Sequence, residues 1–146
     1  MQRTLPAPLF AEGSSPATVD AQDPGAIEVG VRFRPLLDGF IRGIRFYKAP
    51  ANTGAHVGSL WTAAGQLLGS ATFANETASG WQQVALPPIP VSAGVTYIAS
   101  VYMPNGHYSA DAGFFNNAYE LWPMRGLANG EDGPNGLYRY GSAGFP

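Results

Sequence analysis

The chain has 146 residues, of which 45% are apolar and 12% aromatic, so it can bury a core as one domain and is not a disordered segment. Charged residues make up 12% and the formal net charge is −2, which excludes the basic footprint that nucleic acid requires. The absence of cysteine removes disulfide frameworks, thiolate zinc sites and cysteine nucleophiles, and no run approaches the roughly 18 apolar residues of a membrane-inserting helix.

Residues 1–17 are rich in Pro, Ala and Ser around one apolar pair, Leu9-Phe10, and read as an extended lead-in or an edge strand. Met1–Pro6 lacks the apolar stretch of a signal peptide, so Met1 reads as a start placed on a domain cut from a longer protein. Residues 18–146 read as a single module. Ile27, Val29, Val31 and Phe33 alternate with Glu28, Gly30 and Arg32, the cleanest period-two pattern in the chain, and Pro35 ends that strand. Asp38-Gly39 is a hairpin signal into a strand from Gly39 to Lys48. Its parity puts Phe40, Ile44 and Phe46 on one face and Ile41, Arg45 and Tyr47 on the other, with Ile44 and Phe46 in the core. Asn52, Gly54 and His56 form a loop held by backbone geometry, in which the His56 ring braces its neighbours.

Gly58–Trp61 is strand-like again, and Thr62–Gln66 turns the chain back into Leu67–Phe73 as a hairpin. A polar loop at Asn75–Gly80 leads into Trp81–Leu86, and Pro87, Pro88 and Pro90 mark a rim or an edge. Val95–Met103 is β-branched and aromatic enough for a central strand, with Val95, Tyr97, Ala99, Val101 and Met103 on one face. Trp61 and Trp81 lie inside strand-like runs and read as core. Beyond Pro104 the period is lost, a short helical turn fits Asp111–Met124, and Leu137–Tyr140 is a last strand. Short strands and tight turns with 19 Gly and 13 Pro predict an all-β, antiparallel sandwich or jelly roll with little helix. Its core includes Ile44, Phe46, Leu60, Val84, Tyr97, Ala99 and Val101.

Arg45-Phe46-Tyr47-Lys48, Asn52-Thr53-Gly54, His56, Gly58-Ser59-Leu60-Trp61, Glu76-Thr77-Ala78-Ser79-Gly80-Trp81 and Asn105-Gly106-His107-Tyr108 occur in this order. Together they resemble the bacterial extracellular domain of unknown function 4082. The resemblance runs from about Thr18 to Pro146. It implies a β-sandwich module of secreted or cell-surface proteins, often beside sugar-active or adhesion domains, with no known reaction. It also implies one more strand after Gly144-Phe145-Pro146, which would close the sandwich. Without that strand an edge and an apolar groove stay open, to be taken by another chain through strand complementation or by residues 1–12.

Catalysis finds little footing. The two histidines, His56 and His107, sit in loops, and no serine lies in a Gly-x-Ser-x-Gly elbow, so the expectation is a protein that is not an enzyme. Sugar binding needs flat apolar rings beside planar polar groups. Asn105, His107, Tyr108, Asp111, Trp122, Tyr138, Arg139 and Tyr140 supply that mix and are the candidate ligand-binding residues, with Tyr102 and Tyr119 nearby. No cofactor is expected. Calcium has weak support in two loops, Asp20 with Asp23 and Glu131 with Asp132 and Asn135, although neither has EF-hand spacing. The expected function is a non-catalytic, carbohydrate-binding module with a polysaccharide or glycan as partner. The alternative is a structural or adhesion module that pairs strands with another protein chain through an open sheet edge.

Overall fold

Period-two alternation becomes strands at nearly every place where the sequence carries it. The computed structural model describes residues 7–146. Its strands are β1 (Ile27–Pro35), β2 (Gly39–Lys48), β3 (Val57–Thr62), β4 (Leu67–Thr72), β5 (Gly80–Val91), β6 (Tyr97–Met103), β7 (Tyr119–Leu121), β8 (Met124–Gly126) and β9 (Leu137–Tyr140). A short 3-10 turn covers Phe114–Asn116. Among the described residues it is the one helical element.

The strands build two antiparallel sheets. Seven strands run in the order β4-β3-β6-β1-β8-β7, with β9 also on β1, while β2 and β5 form a sheet of their own. The fold is an all-β antiparallel sandwich. β1 bonds to β6 along Ile27–Phe33 on one edge. Its other edge is shared: β9 takes Ile27–Gly30 and β8 takes Phe33–Pro35. β6 lies between β1 and β3, the central position that its β-branched composition predicts.

The core lies between the sheets. Ile44, Phe46, Leu60, Tyr97 and Val101 are buried, and Val84 and Ala99 pack against them half-buried. Burying each such large side chain contributes about 1.5–3 kcal/mol. Phe46 is central, edge-on to Phe73 with centroids 4.9 Å apart.

Three sequence expectations are corrected. Asp38-Gly39 does not make a hairpin: the chain crosses there from one sheet to the other, and β2 pairs with β5. Local turn chemistry reports a reversal but not which sheet the next strand joins. Secondly, Ile41 is buried whereas Phe40 is 59% exposed, the reverse of simple parity. The register slips between Ile41 and Gly43, where Leu86, Pro87 and Pro88 of β5 stand against Arg42 alone. Two consecutive prolines lack the N–H groups a ladder needs. Gly43 permits the close approach, since a Cβ there would lie 2.6 Å from the Val84 carbonyl oxygen. Thirdly, Trp61 and Trp81 are not between the sheets. Trp81 sits opposite Tyr47 on the outer face of the small sheet, and Trp61 lies under Phe145, with centroids 5.5 Å apart, outside the large one. A strand has two faces, and segments outside the sheets cover these rings. Leu9 packs on the core without being part of a strand.

Truncation of Phe46 to Ala is expected to cost about 3–5 kcal/mol in denaturant melts, the loss typical of an enclosed phenylalanine. A loss below about 1 kcal/mol would place that ring outside the core.

Candidate functional site

Because seven strands face two, one flank of the large sheet has no strand opposite it. A cleft of about 1360 Å³ opens there, floored by Val29 and Val31 of β1, Tyr138 and Tyr140 of β9, and Met124 of β8. Every residue from Asp38 to Tyr47 borders it, inward- and outward-facing alike, which requires that the edge of β2 itself face the cleft. Among the described residues β2 pairs with β5 alone, so the N–H and C=O groups along its other edge have no strand partner. The N-terminal segment closes one end. Phe10 lies 5.6 Å from Tyr119, 5.7 Å from Phe114 and 6.5 Å from Trp81 by ring centroids. The Trp81 indole N–H donates to the Ser14 carbonyl at 2.7 Å. Leu9 and Phe10 border the cleft. Met1–Pro6 lie outside the described residues.

The sequence-predicted ligand residues divide. Tyr138 and Tyr140 alternate on β9 opposite Val29 and Ile27, which turns both rings into the cleft. They are 65% and 50% exposed, with centroids 5.9 Å apart and planes at 74°. Two exposed rings edge to face do not make the flat shelf that a pyranose face prefers. The Tyr140 hydroxyl donates to the Asp23 carboxylate and also meets the Tyr108 hydroxyl, and both contacts push its pKa up. Tyr108 packs half-buried against the core. The His107 ring bonds Asp20 at 2.9 Å, and its backbone N–H donates to the Asp23 carbonyl at 2.7 Å. The Gln22 N–H, then the His107 ring, hold the Asp20 carboxyl below its ordinary value. The Tyr140 hydroxyl and the Gly25 N–H do the same for Asp23. Asp20, Asp23, His107, Tyr108 and Tyr140 therefore form one polar group, of which Tyr108 and Tyr140 border the cleft. Gly106 makes this loop contact feasible: with φ of 66°, it lets the chain pass against Asp23, whose carbonyl oxygen any side chain at 106 would strike.

The other candidates lie elsewhere. Asn105 donates to the Thr53 carbonyl at 3.1 Å and braces a loop. The Asp111 carboxylate accepts the Ala17 N–H. Arg139 stands opposite Glu28, on the other face of the sheet from its tyrosine neighbours. Trp122, 68% exposed, sits in the turn between β7 and β8, beyond the Pro35 end of β1. β1 separates it from Tyr140 by about 26 Å at 3.3 Å per residue. The two acidic loops are committed to protein partners. Glu131 pairs with Arg125 at 2.7 Å, Asp132 with Arg34 at 3.6 Å, and the Asn135 amide bonds the backbone of Arg32 and Leu127.

Of two buried polar groups, the sequence places one, His56, as a loop brace and does not place the other, Glu28. His56 is fully buried, its ring nitrogens 2.9 Å from the Glu76 carboxylate and 2.7 Å from the Asn52 amide oxygen. The Lys48 ammonium also reaches the Glu76 carboxylate, at 3.2 Å. This acid–histidine pair has a catalytic look, but the second nitrogen faces an amide rather than a hydroxyl, and the ring is sealed from solvent. It braces the loop, as its Asn and Gly neighbours suggest. The other group is Glu28, 1% exposed on the outer face of β1. Its carboxylate accepts the Ser100 hydroxyl at 2.7 Å and the Gly144 N–H at 3.2 Å, and the Trp61 indole donates to Ser100 at 2.8 Å. Glu28 looks like an ordinary solvated residue of an amphipathic strand, and the tail that covers it is more than a hundred residues away.

A family model described as Domain of unknown function (DUF4082) matches residues 13–146. No curated protein and no solved structure matches the chain.

Burial raises the Glu28 pKa, against smaller opposing effects from the Ser100 and Gly144 hydrogen bonds. A carboxyl raised in the fold contributes stability that is complete below its unfolded value near 4.5 and lost as pH rises through the folded value. Glu28→Gln keeps the shape of the neutral acid and removes this dependence. The melting temperature of the native chain is therefore expected to fall relative to the variant as pH is raised from about 4 to about 8. A difference that stays constant with pH would show that Glu28 titrates alike in both states.

Proposed function

The chain belongs to the DUF4082 family, and we propose that it is a non-catalytic binding module whose cleft takes an extended segment of another polypeptide as an added strand on β2. One observation carries this reading: the open edge of β2 borders an apolar cleft floored by an unopposed sheet face. Strand addition satisfies both at once, the edge by main-chain hydrogen bonds and the floor by alternate side chains. Magnitudes assign the work. Main-chain bonds contribute about 0.5–1.5 kcal/mol each, while ordering each residue of the incoming segment costs about 1–2 kcal/mol. The edge alone therefore comes out near zero, and apolar side chains over Val29, Val31 and Tyr138 must supply the affinity, at about 25 cal/mol per Å² buried. A secreted or cell-surface setting is part of the proposal and rests on the family resemblance.

A second reading has its own support. Tyr138 and Tyr140, exposed beside Asp20, Asp23 and His107, offer rings and hydrogen-bonding groups to a carbohydrate at one end of the cleft.

Displayed random decapeptides and a glycan array separate the two. The expected outcome is enrichment of peptides with alternating apolar residues, lost in Val31→Asp and in Tyr138→Ala while both variants keep a cooperative melt. Retention of a glycan that Tyr138→Ala releases, with no peptide enriched, would replace the strand reading with the carbohydrate one.

A further inference from the structure

The charges beside the open edge narrow the occupant. β2 carries three cations and no acid: Arg42, Arg45 and Lys48. Lys48 is paired with Glu76. Among the described residues Arg42 and Arg45 have no ion-pair partner. Arg42 is exposed at the register slip. Arg45 lies on the outer face, its guanidinium 4.6 Å from the centre of the Trp81 ring. The acids that border the cleft sit on other elements. Glu12 is in the N-terminal segment, Asp38 is bonded to the Ala93 N–H at 2.8 Å, and Asp111 is held by Ala17.

We infer that the occupant of the cleft is a strand in which apolar residues alternate with acidic ones, the apolar set lying over Val29, Val31 and Tyr138 and the acidic set meeting Arg42 and Arg45. The inference rests on the strand-accepting reading above and names the partner it takes. Alternation follows from geometry: residues of an added strand next to β2 point alternately into the cleft and out beside its outward side chains. Opposite charges on neighbouring strands attract and like charges directly opposite destabilise the pairing. The same rule weighs against two other occupants. Antiparallel pairing of β2 with β2 of a second copy gathers four arginines at one seam. Met1–Pro6 would bring Arg3 and no acid.

Three labelled decapeptides test this by fluorescence anisotropy against the full chain. One alternates valine with glutamate and one valine with lysine. The third is the glutamate peptide with two of its valines replaced by proline, which removes main-chain donors and keeps every glutamate. The expected result is that the glutamate peptide binds at least about tenfold tighter than the lysine peptide, a difference near 1.4 kcal/mol. Arg42→Glu is expected to erase that preference without moving the melting temperature, and Arg42→Glu with Arg45→Glu to reverse it. Equal binding of the glutamate and lysine peptides, with the proline peptide silent, would overturn the charge inference and leave strand addition standing. Binding of neither would overturn strand addition itself. A proline peptide that binds as well as its parent would reduce the contact to charge attraction and overturn both.

Discussion

The structure depends on the hydrogen bonding of β1. One edge is bonded to β6 through Phe33, and the other is divided between β9 and β8. A single nine-residue strand in the first quarter of the chain thereby ties itself to three segments that follow it by more than sixty residues. The consequence is an asymmetric sandwich. Strands that gather on β1 enlarge one sheet and leave the other with β2 and β5. The cleft is what remains when the larger face outruns the smaller, so its floor is made of the same alternating residues that would otherwise be core.

Both terminal segments compensate for surfaces that the sheets leave bare. On the small sheet, Phe10 and Ser14 cover Trp81, which also lies edge-on to Tyr47 at 5.5 Å. On the large sheet, Gly144 and Phe145 cover Glu28 and Trp61. Tryptophan suits such places because its ring supplies apolar area while its N–H still needs an acceptor, found here in Ser14 and Ser100. The burial of Glu28 is the cost of laying a tail over an amphipathic strand whose outer face is polar. Two hydrogen bonds to its carboxyl offset part of that cost.

How much was legible in the sequence follows the range of each signal. The strands at Ile27, Gly39 and Tyr97 could be read because alternation is local, and the burial of Ile44, Phe46 and Val101 came with it. The sequence starts the last of these strands at Val95, which instead lies exposed in the turn before it. The hairpin from β3 into β4 was legible for the same reason. The partner of β2 was not, because Asp38-Gly39 encodes a turn and not a destination. Nor was the inward turn of Ile41, which depends on Pro87 and Pro88 in a distant strand. Among the candidate site residues, Tyr138 and Tyr140 share a face by their spacing, as β9 requires. Trp122 falls at the far end of β1, because composition gathers aromatic residues by sequence neighbourhood and a sandwich does not. Asp20 and Asp23 join His107 and Tyr140 across some ninety to a hundred and twenty residues, and no local pattern announces a contact of that range.

The distribution of polar groups bears on what the cleft can recognise. Arg34, Arg125, Lys48, Glu76, Glu131 and Asp132 are occupied with one another in loops and at strand ends. His56 is sealed, and Glu28 lies on the far face of its sheet. Along the middle of the cleft floor Val29 and Val31 are apolar and the Tyr138 hydroxyl is the nearby polar side-chain group, while the main chain of β2 borders the same space. A ligand that needs several side-chain donors and acceptors finds the Tyr108, Tyr138 and Tyr140 hydroxyls gathered toward one end and not along the length. A ligand that carries its own repeating donors and acceptors finds a matching series along ten residues of β2. Among biological polymers the polypeptide backbone has that repeat, with alternate side chains free to meet an apolar floor.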